Sequence, residues 1–296
     1  MVQSHLESIS YWGELMKSIS IILVTIWAGS VSAQTMFGVA HQGSDGMADL
    51  YTIDTVTGVA TLVGPLGFER CGSIDMGPDG MIYGHAERAD GSNIGVLITI
   101  DPYTGAGTEI GPTGLNSVAD LSFRADGTLF LYDGANDPEH TLFTVNTMTG
   151  ATTLVGDTGL SFAPGNGMTF FGSTLYLAQD TSLYTLNQAT GMATLATALT
   201  IGPPPTSFYR FGGLEDAGGT LYGILNDGGT GSGPNYLTTI DPITGAVTII
   251  GQTANGMDGI TFGTIVLPVP SMSPSIMIVF VALLAGVAIF LVRRSN

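Results

Sequence analysis

Leu97-Ile-Thr-Ile-Asp-Pro-Tyr-Thr-Gly105 recurs in five versions along the chain, and its reading decides the fold. The others are Leu50-Tyr-Thr-Ile-Asp-Thr-Val-Thr-Gly58, Leu142-Phe-Thr-Val-Asn-Thr-Met-Thr-Gly150, Leu183-Tyr-Thr-Leu-Asn-Gln-Ala-Thr-Gly191 and Leu237-Thr-Thr-Ile-Asp-Pro-Ile-Thr-Gly245. The closing glycines are spaced by 47, 45, 41 and 54 residues, a period that suits four-stranded propeller blades and is too long for leucine-rich or ankyrin units. Each copy alternates apolar and polar residues like a half-buried strand, turns at Asp/Asn-x-x-Thr-Gly, and resumes as a second strand such as Ala246-Val-Thr-Ile-Ile250. The glycine supplies the positive φ of the turn, and the Asp or Asn side chain can bond the turn backbone.

Four of these hairpins are preceded by a further pair of short strands: Ser73–Met76 with Met81–Gly84, Asp120–Phe123 with Thr128–Leu131, Gly167–Phe170 with Thr174–Leu177, and Gly213–Asp216 with Thr220–Gly223. Four strands per repeat make a blade. The first repeat has only its outer three, from Met36–Ala40 onward, while an orphan inner strand, Gly259–Phe262, follows the fifth. That strand is expected to complete blade one, so that the two chain ends share a blade and no sheet edge is left exposed. The expected fold is therefore an all-β, five-bladed β-propeller; an open β-solenoid and a six-bladed ring with a degenerate blade are the alternatives. The repeats resemble the Leu-Tyr-x-Ile-Asp-x-x-Thr-Gly units of secreted bacterial β-propellers over residues 36–263. This resemblance implies a fold, not an activity.

Both ends read as targeting segments. An apolar run over residues 18–30 follows Lys17, and Val31-Ser32-Ala33 before Gln34 fits signal-peptide cleavage, so residues 1–33 are expected to be a leader. Glu7 and Glu14 are foreign to a basic leader start, which points to Met16 as the true initiator. Residues 34–264 then form the ectodomain and residues 265–275 a linker. Ile276–Val292 would make a helix of about 26 Å, close to the roughly 30 Å of a bilayer core. Arg293 and Arg294 would hold its end in the cytoplasm as a basic tail of residues 293–296, leaving the ectodomain outside. Val269-Pro270-Ser271-Met272-Ser273, the apolar helix and the terminal Arg pair together resemble the tripartite exosortase sorting signals of Gram-negative bacteria, of the Ile-Pro-Thr-Leu rather than the Pro-Glu-Pro group. The resemblance implies an exosortase-like processing enzyme as a partner. A plain membrane anchor of a type I protein is the other reading, and the absence of the usual Glu-Trp-Gly leaves cleavage open.

Composition narrows the function classes. The 296 residues carry 24 acids against 7 Lys plus Arg, a net charge of -17, which excludes nucleic acid as a partner. Cys71 is the single cysteine and can form no internal disulfide. The chain contains no Gly-x-Ser-x-Gly, His-Glu-x-x-His or phosphate-binding loop.

With strands a to d counted outward from the axis, the a-b and c-d turns share one face and are short. The b-c and d-a loops share the other face and are long and variable, which is where binding evolves on a rigid scaffold. That face carries Asp45, Asp49, Glu87, Asp90, Asp133, Asp137, Glu139, Asp180 and Asp227 as binding candidates. These acids could ligate Ca²⁺, but no loop has EF-hand spacing, and solvated turn residues are the preferred reading, with no cofactor. His41, His85 and His140 read as isolated surface residues, and Cys71 as a small buried one. Asp75 and Asp258, near the inner strands, are the acids to consider for a glycosidase pair. An axial pocket with facing carboxylates would favour an enzyme, and a pore plugged by Ile74, Leu121, Met168, Leu214 and Ile260 would favour a scaffold. The reading preferred is a non-enzymatic surface or matrix binding module for a polysaccharide or surface protein. A carbohydrate-active hydrolase or lyase is the alternative.

Overall fold

The computed structural model describes residues 32–41, 46–116, 120–134, 140–161, 166–201, 209–227 and 234–266. Residues 1–31 of the expected leader, the motif at residues 269–273, the proposed membrane helix at residues 276–292 and Arg293–Arg294 lie outside the described residues, while Ser32 and Ala33, expected to end the leader, open the first strand. Among the described residues no helix is long and apolar enough to cross a membrane.

Blade I opens with β1 (Ser32–Ala40), β2 (Asp49–Ile53) and β3 (Ala60–Pro65). Blade II is β4 (Glu69–Met76), β5 (Ile82–Glu87), β6 (Gly95–Ile100) and β7 (Gly107–Pro112), and blade III is β8 (Asp120–Phe123), β9 (Leu129–Asp133), β10 (Thr141–Val145) and β11 (Thr152–Asp157). Blade IV is β12 (Asn166–Phe171), β13 (Thr174–Gln179), β14 (Ser182–Leu186) and β15 (Ala193–Ala198), followed by the two-residue β16 (Thr200–Ile201). Blade V is β17 (Tyr209–Ala217), β18 (Thr220–Asp227), β19 (Asn235–Ile240) and β20 (Ala246–Gln252), and β21 (Met257–Val266) ends the described chain. The first sheet has the order β21-β1-β2-β3, so the last strand is the inner strand of the first blade. Five sheets, one per repeat, make the protein a five-bladed β-propeller.

The repeat dictates this architecture twice over. Its leading leucine, at positions 50, 97, 142, 183 and 237, is fully buried in every blade. At its end, the Asp or Asn side chain takes the backbone N–H two residues on, as in Val56 N–H to Asp54 Oδ1 at 2.8 Å and Met148 N–H to Asn146 Oδ1 at 2.9 Å. The following glycine then enters the left-handed region, with φ of 80° at Gly105. A Cβ on Gly105 would stand 2.4 Å from the carbonyl oxygen of Gly64 on blade I, so glycine is required by the neighbouring blade as well as by the turn. The same approach recurs between Gly150 and Gly111, Gly191 and Gly156, and Gly58 and Gly251. At the fifth interface Gly245 meets Ala198 instead, and β16 pairs in parallel with β20 beside it.

Five hydrophobic clusters correspond to the five interfaces between consecutive blades. Ile74, Leu121, Met168, Leu214 and Ile260 each belong to one of them. These residues fill the gaps between blades, so the plugged pore that would favour a scaffold is not formed by them, and the axis is left to the residues that alternate with them.

Candidate functional site

Inner-strand residues alternate in direction, so the third residue of each inner-strand motif faces away from the interblade residue before it. These third residues are Asp75, Ser122, Thr169, Glu215 and Thr261, all polar and all buried. Four of them accept the backbone N–H of the fourth residue on the next blade's inner strand. Phe123 N–H donates to Asp75 Oδ2 at 2.6 Å, Phe170 N–H to Ser122 Oγ at 3.1 Å, Phe262 N–H to Glu215 Oε1 at 2.8 Å, and Met76 N–H to Thr261 Oγ1 at 2.8 Å. These N–H groups belong to the innermost strands, where no further strand exists to accept them. A side chain from the preceding blade does so.

Asp75 is the most engaged. Besides Phe123, its carboxylate accepts the N–H of Met76 at 2.7 Å and the Thr261 hydroxyl at 3.1 Å. Asp120, two residues before Ser122, repeats the interblade bond by accepting Met168 N–H at 2.8 Å, and also holds Leu121 N–H at 2.9 Å. Burial raises all of these acids. Asp75 is pushed up to about 6, Asp120 and Glu215 well above the carboxylate range, with mutual repulsion adding to burial.

Where the inner strands run into the short a-b turns, a cavity of about 290 Å³ opens. It is lined by residues that include Asp75, Glu215, Asp216, Phe123, Phe170 and Phe262, the three rings packing into the interblade clusters, Phe123 against Tyr83 and Phe170 against Phe130. Toward the opposite end of the axis lies Asp258. Its Oδ2 is 3.9 Å from His41 Nδ1, and its carboxyl is pushed up to about 7 by burial, against the pull of Arg210 and Asn226. Burial and the charges of Arg70 and Arg210 hold the His41 imidazole below its usual range.

The loop-face acids among the described residues stand in different settings. Asp45, Asp137 and Glu139 lie outside the described residues, as does the side chain of Asp227 at the end of β18. Asp90 is an exposed turn residue that accepts Ser92 N–H at 2.9 Å, and Asp180 is an exposed turn residue with φ of 52°. Asp49 is half-buried at the start of β2. Glu87 and Asp133 are corrected: both are buried strand-end residues, because β5 and β9 run on to include them. Arg70 Nη1 approaches Glu87 Oε2 at 3.4 Å. Among the described residues no three His, Cys, Asp or Glu side chains converge as a metal site.

Two histidines are corrected as well. His85 is buried with its Nε2 2.9 Å from Thr113 Oγ1, and burial pushes it down to about 4. His140 is buried with Nδ1 3.0 Å from the Tyr132 hydroxyl. In both cases the chain leaving the outer strand folds back over the end of the blade: Thr113 N–H bonds Gly95 O, and Thr158 N–H bonds His140 O. Cys71 is buried, and burial pushes its thiol up to about 12.

A closed ring of five blades, with polar side chains crossing from blade to blade around its axis, defines the class: a β-propeller with a cavity at one axial mouth. No family profile matches the chain, and no curated protein does. A chain from the crystal structure of a nidogen/laminin complex is similar in fold, with a TM-score of 0.50 and 13% identity over 78% of this chain and 98% of that one. A protein of unknown function from Bacteroides caccae covers 78% and 99% of the two chains at 15% identity, with a TM-score of 0.47. At these identities the likeness is one of fold.

Proposed function

We propose that the protein is an exported, non-enzymatic binding module whose variable loop face docks a macromolecule of the cell surface or matrix, and whose C-terminal segment anchors or sorts it. The observation that carries the reading is the occupation of the axial acids. Asp75 and Asp120 have both oxygens engaged and Glu215 has one, and in each acid one oxygen takes an N–H from the next blade's inner strand while the bonds from Met76 and Leu121 are local. A carboxylate held by two backbone N–H groups is a poor nucleophile and a poor proton shuttle. The fold likeness to a chain from a nidogen/laminin complex is an analogy for a propeller that takes a protein partner.

A second reading, a carbohydrate-active hydrolase or lyase, is favoured by one observation: Asp75 and Glu215 have raised carboxyls in one cavity, as a general acid requires. The full chain incubated with a panel of extracellular polysaccharides and cell-surface extracts separates the two. Retention on a surface component without new reducing ends or unsaturated products is expected. Product formation that Asp75→Asn abolishes would replace the binding reading with the enzymatic one.

A further inference from the structure

The five Asp/Asn-x-x-Thr-Gly turns occupy equivalent places in the ring, and the third residue of each does one job for the fold. Its backbone N–H donates to the side chain that opens the turn: Val56 to Asp54, Tyr103 to Asp101 and Ile243 to Asp241 at 2.8 Å, Met148 to Asn146 and Ala189 to Asn187 at 2.9 Å. Any residue but proline supplies that donor, so the fold leaves the side chain free. In four of the turns it is nevertheless large and apolar, and it stands in solvent: Val56 is 82% exposed, Met148 83%, Ile243 87% and Tyr103 48%. Val56, Met148 and Ile243 are the most exposed large apolar residues among those described. Single apolar residues on a surface are ordinary, but one position repeated around a ring places four of them on one rim.

That rim belongs to the short-turn side. Gln188, in the fourth of these turns, donates from Nε2 to Ser173 O at 2.9 Å and accepts from Arg124 Nη1 at 3.1 Å, and both partners lie in a-b turns. The chain leaves by the same side. The bond from His41 N–H to Gly256 O sets the start of β21 at the loop end of blade I, so β21 runs to Val266 at the short-turn end. Ile276, where the apolar stretch expected to cross a membrane begins, follows after ten residue steps, at most about 35 Å when fully extended. On the loop face, by contrast, Ile94 is the one large apolar side chain of the exposed class among the described residues.

We propose that the rim of Val56, Tyr103, Met148 and Ile243 docks on the lipid surface of the membrane that holds the chain's own C-terminal segment, with the variable loop face turned outward. This rests on the anchoring part of the function proposed above. A tether this short, attached at the axis, brings the short-turn side to the bilayer, and apolar side chains set at one level bury their area together in its interface. A tyrosine among them suits that boundary, its ring apolar and its hydroxyl wet. Lipid fits the rim better than a second copy of the chain. The copy would bring the same net charge of -17 and set its own Asp54, Asp101 and Asp241 against those of the first. The same three acids favour zwitterionic over anionic headgroups.

The test uses the full chain reconstituted into phosphatidylcholine vesicles. Met148→Cys and Ile243→Cys on the rim, and Ser92→Cys on the loop face, each carry a nitrobenzoxadiazole dye, while the buried Cys71 stays unlabelled. Flotation with the vesicles reports the anchor, and quenching by lipids spin-labelled near the headgroup reports the docking. The dyes at positions 148 and 243 should lose about half of their emission or more, at least about threefold the loss at position 92. Adding Val56→Ser and Tyr103→Ser to the labelled Ile243→Cys chain should reduce its quenching by about half, with the thermal melt unchanged. Equal quenching at all three positions in a chain that floats would overturn the docking and leave the anchor standing. A chain that does not float removes the anchor, and the docking with it. A blue shift at positions 148 and 243 that spin-labelled lipid does not quench would show protein covering the rim, and would also overturn the proposal. Retention of surface components by the loop face is read separately from all of these.

Discussion

Replacing Asp75 by Asn is expected to flatten the dependence of stability on pH. Burial lifts the Asp75 carboxyl from its usual 3.8 to about 6, outweighing the pull of the bonds from Phe123, Met76 and Thr261. The folded state therefore holds that proton more tightly than the unfolded state. Its stabilising contribution is complete below the unfolded value and is lost as pH rises through about 6. At about 1.4 kcal/mol for each pH unit separating the two states, this group alone makes the protein about 3 kcal/mol less stable at high pH than at low pH. For a propeller of this size that is a fall in Tm of roughly 6–12 °C. Asparagine cannot ionise, its carbonyl can still accept Phe123 N–H, and it relieves Asp120 and Glu215 of the charge that raises them. Denaturant melts of wild type and variant from about pH 4 to about pH 8, at high salt to screen the general acidity, give the comparison. A wild-type stability that rises across this window, or a variant with the wild-type slope, would refute the placement of Asp75 as a buried interblade acceptor.

Gly105→Ala should lower stability by more than about 2 kcal/mol, since left-handed strain of roughly 1–2 kcal/mol adds to the collision with Gly64 O. Gly114→Ala, with φ of 78° and open space around its Cβ, should cost the strain alone, and thermal melts of the two variants give the difference. Added Ca²⁺ and Mg²⁺ should stabilise the protein modestly and alike, with NaCl mimicking both, because no three acids converge as a metal site among the described residues; a saturable, Ca²⁺-selective rise in Tm lost in Asp133→Asn would contradict this. The product length, read from intact mass after allowing for the substitution itself, should change in Pro270→Ala if residues 269–273 are read by an exosortase, and an unchanged length would count against the sorting role.

The fold was legible because its determinants are periodic. Leu97 and its counterparts fill interblade space, and Gly105 and its counterparts touch the neighbouring blade, so the ring needs the same residue at the same place in each repeat. Closure through β21 was legible for the same reason, as a missing inner strand at one end and a surplus one at the other. The axial ring was not, because its task can be done by different side chains: Asp75, Ser122, Glu215 and Thr261 all accept an N–H, and residue identity hides the common role. Aligning the inner strands as a column would have exposed it, since the third position is polar in all five while the second is apolar in all five. Attention to the loop face also misplaced Glu87, Asp133, His85 and His140. Burial at a strand end depends on which segment folds over it, here the chain around Thr113 and Thr158, and that contact has no signature in the neighbouring residues.

The central claim is that polar side chains of one blade satisfy the innermost backbone of the next at four of the five junctions around the axis. Residue-resolved hydrogen exchange on the amides of Met76, Phe123, Phe170 and Phe262 tests it directly, since no strand lies inside them to provide protection. The account predicts that all four exchange as slowly as amides within the central strands β5 and β9, and that Phe123 loses protection in Asp75→Ala and Phe262 in Glu215→Ala. Exchange at loop-like rates in the wild type would contradict it.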